Sequence, residues 1–296
     1  MKIKDKLTVL VCSSDGYEDL WHPFFKLFEK NWEHFNCRLI LNTETKKTEF
    51  SSLNIETFSF YNENDILKVG YGERMINHLS KVETEFVFLM LDDFFLRDKV
   101  DCTIIEEYLE IMLSDSSISS INFDPTPRGG SEYSQDSRLI ELPQIAPYKL
   151  NMQAGIWRTD ALLKYWNKLD SPWQWEIFGN YDTFSTDDKF LHISSLEYSP
   201  VDYGFVNGGW GVYRGKWVVS DVDELFSRNE INIDYLQRGI FDNDPTALFN
   251  DKKALTSYLI KRLRFKYFVS FMFFKLRKKM GQLSDCRTHT EYLARK

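Results

Sequence analysis

The chain has 296 residues, enough for one large α/β domain or two small ones. With 43% hydrophobic and 16% aromatic residues it can build a sizeable core, which excludes global disorder. The net charge of −7 is unevenly spread: ten of the 37 Lys and Arg residues lie in 252–284, which has no Asp or Glu. The rest of the chain sets 27 basic against 44 acidic residues, a balance of −17. Such an acidic body argues against nucleic acid as the main partner. The cysteines, Cys12, Cys37, Cys102 and Cys286, form no close pair. That excludes a zinc or redox spacing and suits a reduced, cytoplasmic setting. The first apolar run, 7–12, is too short for a secretory signal. No stretch approaches the roughly 20 apolar residues of a spanning helix.

In chain order, residues 7–14 read as a first strand that ends in Cys12-Ser13-Ser14-Asp15-Gly16. Leu20, Phe24, Leu27, Phe28 and Trp32 have helical spacing over 19–32. Residues 38–41 and 55–60 read as strands, and 71–82 as a helix with Met75, Ile76 and Leu79 inward. Phe86–Leu91 is a continuous apolar run, as in a strand buried on both faces. A helix over 104–113 and a strand over 118–123 follow. This alternation predicts a mostly parallel sheet. Residues 124–149 carry four prolines and two glycines and read as one long loop. Thr159 reads as the N-cap of a helix through 169, and Ser171-Pro172 as a second helix start. Residues 201–219 suggest irregular strands or a hairpin.

The central apolar run meets Asp92 and Asp93 at its end. Two ionised carboxylates do not stay unpaired inside such a core, so they belong where the strand leaves the sheet. Ligands bind at that end of the strands in open α/β folds. Adjacent Asp side chains offer hard oxygen donors to Mg²⁺ or Mn²⁺.

The first strand with its Ser-Ser-Asp loop, then Gly70-Tyr71-Gly72-Glu73-Arg74 and Asn77, then the strand ending in Asp92-Asp93, together resemble bacterial nucleotide-sugar glycosyltransferases of the GT-A fold. Residues 1–125 carry this likeness. Gln153-Ala154-Gly155-Ile156-Trp157-Arg158, Ser171-Pro172-Trp173-Gln174-Trp175-Glu176 and Gly215-Lys216-Trp217 look like acceptor-side elements of capsule and O-antigen transferases. The family's metal motif is Asp-x-Asp. Here Leu91 stands at its first position and Asp93 at its last.

The resemblance implies a GT-A-like (Rossmann-like) mostly parallel sheet with flanking helices over 1–250. A nucleotide-sugar half spans 1–125 and an acceptor half 126–250. It implies Asp93 as the metal ligand, with Asp92 as helper and His192 as a further candidate. Ser13, Asp15, Arg74 and Asp92 would face the donor; Gln153, Arg158, Trp173 and Trp175 would face the acceptor. Glu176 is the candidate general base, with Asp187 and Asp188 as rivals. For each of these positions a structural role, as turn, cap or core residue, is the competing reading. Residues 251–296 read as a basic, aromatic, helix-compatible tail suited to an anionic membrane surface. The whole reads as a metal-dependent, inverting transferase. It would move a sugar from a UDP-sugar to a lipid-linked glycan on the inner face of the plasma membrane. The rivals are a retaining transferase and a non-catalytic carbohydrate-binding scaffold.

Overall fold

The computed structural model describes residues 5–242 apart from 59, 62–64, 66–68 and 206–208, together with positions 272 and 276. The tail expected over 251–296 therefore lies, but for those two positions, outside the described residues.

Among the described residues the frame is one nine-stranded sheet. β1 (Leu7–Cys12), β2 (Arg38–Asn42), β3 (Ile55–Thr57) and β4 (Phe86–Leu91) run parallel, as do β5 (Ile118–Asn122) and β9 (Lys189–Ile193). β8 (Gly155–Arg158) runs antiparallel between β4 and β5. β6 (Ser131–Tyr133) and β7 (Asp136–Glu141) extend the sheet beyond β9, giving the order β3-β2-β1-β4-β8-β5-β9-β7-β6. This is the α/β, mostly parallel sheet that the alternating pattern predicts. Among the described residues, no helix is long and apolar enough to cross a membrane.

β1 is buried at all six positions and β4 at five of six, because helices cover both faces. The pleat sends Leu7, Val9 and Val11 to one face and Leu10 and Cys12 to the other. The first face packs on α1 (Glu18–Asn31), through Leu20, Trp21, Phe24 and Phe28, and on α3 (Cys102–Ser114), through Ile105, Tyr108 and Leu109. The second packs on α2 (Tyr71–Leu79), α4 (Thr159–Tyr165) and α5 (Pro172–Ile177). Asp101 starts α3 by accepting the N–H groups of Thr103 and Ile104 at 2.9 and 3.1 Å. α5 begins as expected, with Ser171 and Gln174 forming a capping box and Pro172 in the first turn.

Two expectations are corrected. The 124–149 segment is not a plain loop, because it contains the β6–β7 hairpin, paired to β9 through β7. Arg158, not Thr159, is the N-cap of α4, and that helix ends at Tyr165. Residues 153–158 are largely strand β8. The expected hairpin within 201–219 is present as β10 (Val212–Tyr213) and β11 (Lys216–Trp217), followed by α6 (Val219–Arg228) and α7 (Tyr235–Arg238).

α2 docks closely on the segment after α4. The Gly72 N–H donates to the Asp170 carbonyl at 2.8 Å. A Cβ on Gly72 would lie 2.0 Å from the Asn167 carbonyl oxygen. Gly72→Ala forces backbone apart there, a change of the overpacking kind that costs about 1–3 kcal/mol. The expected outcome is a melting temperature lower by several degrees. An unchanged melting curve would show that this docking is not close in solution.

Candidate functional site

The strand register decides which residues can meet. Cys12 of β1 lies beside Leu91 of β4, Leu89 of β4 beside Gly155 of β8, and Gly155 beside Asn122 of β5. Asn122 in turn lies beside His192 of β9. The carboxyl ends of β1, β4, β5 and β9 and the amino end of β8 therefore share one edge. Ser13, Asp92, Asp93, Asp124 and Gln153 gather along it.

Asp92 is 5% exposed and accepts a short hydrogen bond from the Ser13 hydroxyl. Ser13 Oγ itself accepts the Trp21 indole N–H at 2.6 Å. Burial, then the neighbouring Asp93, push the Asp92 carboxyl well above the usual range, against the pull of Ser13 and Arg238. Burial pushes Asp93 up to about 7, against its own backbone N–H and Arg238. The Asp93 carbonyl accepts the Gly211 N–H at 3.1 Å. Both carboxylates thus sit where each favours a proton or a cation. Among the described residues no group of three or more His, Cys, Asp or Glu gathers as a metal site. Two adjacent hard carboxylates nevertheless fit a cation such as Mg²⁺, which takes one or two protein carboxylates and completes its sphere with water and substrate phosphate.

Asp15 is committed to the loop after β2. Its carboxylate accepts the backbone N–H groups of Glu44 at 3.0 Å, of Thr45 at 3.0 and 3.1 Å and of Lys46 at 3.2 Å, and the Thr45 hydroxyl at 2.5 Å. Glu44 pairs in turn with Arg74, and the Arg74 guanidinium lies 5.0 Å from the Tyr71 ring centroid. Asp15 and Arg74 thus build the wall of the first loop. Glu44, the partner they share, carries no sequence signal.

Glu176, on α5, accepts the Met152 N–H at 2.8 Å, which ties α5 to the segment entering β8 at the site edge. Gln153 is on that segment and accepts the Tyr203 hydroxyl at 3.0 Å. Tyr203 stacks on Phe94, centroids 4.6 Å apart, just after the carboxylate pair. Trp173, on the same helix as Glu176, is 45% exposed.

The remaining expectations are corrected by placement. Trp175 is fully buried, stacked at 4.4 Å on Trp166, with its indole N–H on the Tyr165 carbonyl; its surface is spent on the core. Arg158 pairs with Phe86, at the start of β4, and holds Glu85 and the carbonyls of Met112 and Ile118. It lies at the opposite edge of the sheet. Asp187 and Asp188 precede Lys189, which pairs with Ile118 at the start of β5, so they too lie at that opposite edge. Asp188 is held by Lys164 and Tyr165. Four residues of strand, about 13 Å, separate these groups from the carboxylate pair.

His192 is at the site edge but on β9, three strand spacings or about 14 Å from β4. It cannot share a cation with Asp93. It is 2% exposed, and burial, with Arg128 nearby, pushes its pKa down to about 3. It belongs with a buried network that sequence reasoning missed. Arg128 donates to the carbonyls of Asp124 at 2.7 Å and Tyr148 at 2.8 Å, and lies 3.3 Å from the Asp124 carboxylate. Asn122 joins it by donating to Asn151 Oδ1 at 2.6 Å.

Arg238, at the end of α7, is the other missed residue. Its Nε donates to Asp19 at 2.9 Å and its Nη2 to the Gly16 carbonyl at 2.8 Å. Its guanidinium lies 4.5 Å from the Tyr17 ring centroid. Asp234, the N-cap of α7, and Gly239 after it are helix-boundary residue types, but nothing in them points to the target of Arg238.

No protein-family model matches the chain, and no curated protein sequence matches it. Solved structures resemble it distantly. S. aureus TarS matches at 11% identity and TM-score 0.39, over 64% of this chain and 37% of that one. A cytidylyltransferase from Leptospira borgpetersenii matches at 12% and 0.39, over 76% and 95%. Mannosyl-3-phosphoglycerate synthase from Rubrobacter xylanophilus matches at 15% and 0.31, over 52% and 54%. The chain thus spans about a third of that TarS chain and about half of the synthase.

Burial raises the Asp15 pKa, but the hydrogen bonds from Thr45, Lys46 and Glu44 outweigh it and hold the carboxyl below its ordinary 3.8. A depressed carboxylate stabilises the fold above its unfolded pKa, and that stability is lost as pH falls through the lower, folded value. Asp15→Asn is therefore expected to be less stable than wild type at neutral pH. The gap should narrow below about pH 3.8. Denaturant titrations at several pH values check this, and a gap independent of pH would refute it.

Proposed function

We propose that this chain is a glycosyltransferase that moves a sugar from a nucleoside diphosphate sugar to a glycan acceptor. The observation that carries the reading is the Asp92–Asp93 pair at the carboxyl end of the central strand, Asp92 buried and Asp93 half-buried. Its charge is under-compensated, and it opens on the loop that follows β1. Asp93 would hold a divalent cation, Mn²⁺ or Mg²⁺, and Asp92, oriented by Ser13, would accept a ribose hydroxyl or a metal-bound water. When bound, the cation supplies positive charge to the departing diphosphate. The 13–19 and 43–46 loops, locked by Asp15 and by Glu44–Arg74, would form a preset wall for the nucleoside, with uridine the favoured base.

Glu176 serves as the general base in this reading. It takes the proton from the acceptor hydroxyl as that oxygen attacks the anomeric carbon, so the centre inverts. The Met152 N–H orients the carboxylate. Trp173 and Gln153 would receive the acceptor, an exposed ring suiting a sugar face and an amide its hydroxyls. The acceptor is proposed to be a lipid-linked glycan of a surface polysaccharide such as capsule or O-antigen. The basic, aromatic 251–296 segment would hold the enzyme at an anionic membrane. A non-catalytic scaffold would release no UDP from any UDP-sugar.

Two substitutions test the roles separately. Asp93→Asn is expected to abolish Mn²⁺-dependent UDP binding in calorimetry while the circular dichroism spectrum stays native. Undiminished affinity would remove Asp93 from the metal site. Glu176→Gln should keep UDP affinity, because the amide oxygen still accepts the Met152 N–H, but lower turnover roughly a hundredfold. Near-normal turnover would exclude Glu176 as the base.

A further inference from the structure

The segment from Gly209 to Phe241 is clasped to the carboxylate pair along two routes. In the first, the Gly211 N–H donates to the Asp93 carbonyl at 3.1 Å, and the Val218 N–H to the Gly211 carbonyl at 3.0 Å. The Trp217 N–H then donates to the carbonyl of Gly239, the residue after Arg238, at 2.9 Å. Gly211 has no room for a side chain, since a Cβ would lie 2.1 Å from the Phe95 ring. In the second, Arg238 grips the turn into α1 at Gly16, Tyr17 and Asp19, and Ser13 of the same loop holds Asp92. The first route ends on the backbone next to Arg238 and the second at its guanidinium, whose charge acts on both Asp92 and Asp93.

The pairing has a telling form. Arg238 is forked on the Asp19 carboxylate through Nε and Nη2, the planar two-point geometry that guanidinium also makes with phosphate. The Arg238 side chain is 10% exposed and that of Asp19 26% exposed, so the contact opens to solvent on the Asp19 side. A diphosphate held by a cation at Asp93 would bring its own negative oxygens toward the same fork.

We propose that Arg238 is a diphosphate-binding residue of this site and that Asp19 holds its guanidinium fork in place until the diphosphate oxygens take over that contact. This rests on the transferase reading given above. The fork serves the leaving group, so its ligand is the diphosphate and not the base or the sugar. Asp19 and Arg238 are partners in structure but opponents in binding. Removing the carboxylate frees the fork, whereas removing the fork leaves the carboxylate to repel the phosphate.

The test compares wild type, Arg238→Gln and Asp19→Asn by calorimetry with UDP and with inorganic pyrophosphate, each with Mg²⁺. Arg238→Gln is expected to weaken both probes roughly tenfold or more, the scale of a lost charge-assisted contact. Asp19→Asn is expected to tighten both several-fold. Both substitutions break the same ion pair, so a purely structural role would weaken binding in both variants. That result, or Arg238→Gln with wild-type affinity, overturns the proposal and leaves the transferase reading standing. A loss confined to UDP would assign Arg238 to the nucleoside and also overturn it. Wild type binding neither probe overturns both readings.

Discussion

Two carboxylates at the mouth of a strand buried on both faces set the terms for everything around them. An ionised group in such surroundings costs several kcal/mol unless it is paired or solvated. β4 cannot soften this, since Phe86 to Met90 are fully buried and fixed between β1 and β8. The protein answers in part. Ser13 donates to Asp92, Arg238 adds one positive charge, and the Gly211 N–H steadies the Asp93 backbone. The answer stops short of neutrality, because Arg238 is itself shared with Asp19. A site left acidic inside an apolar frame suits the cation that the proposed function places there.

The antiparallel strand β8 is the second organising element. Because it enters the sheet at the edge where β4 and β5 leave it, the segment just before it, Asn151 to Ala154, arrives at the carboxylate edge. Met152 brings Glu176 there through one hydrogen bond, and Gln153 joins Tyr203 and Phe94. A parallel strand in that slot would have carried the same residues to the far edge. The same reversal sends Arg158, at the other end of β8, away from the site and into the ion pair with Glu85.

The buried network around Asp124, Arg128, Asn122 and Asn151 lies along the same edge, beyond β8. Arg128 is 1% exposed, yet its donors are met by three carbonyls and the Asp124 carboxylate. Satisfied groups of this kind fix a unique backbone path for a segment rich in proline and glycine. Here that path holds the segment entering β8 in place.

The sequence by itself determined the alternation of strands and helices and the position of the carboxylates. A run such as Phe86–Leu91 has no polar face and is too short for a buried helix, so it reads as a strand covered on both sides, with Asp92-Asp93 at its exit. Helix starts were legible where a local cap fixes them, as at Ser171-Pro172. What the sequence could not supply was strand order and direction. Those depend on pairing between residues far apart in the chain, and Gly155–Arg158 looks the same whether it runs up or down. Direction separated Gln153 from Arg158 and put Asp187 and Asp188 at the far edge, while strand order set His192 apart from the carboxylate pair. Burial made the other distinction. Trp173 and Trp175 are two residues apart on one helix, so the turn of the helix points one to solvent and the other into the core against Trp166. Arg238, 145 positions after Asp93 in the numbering, was beyond any local pattern, because only the packing of the last helices on the 13–19 loop brings its charge to the site.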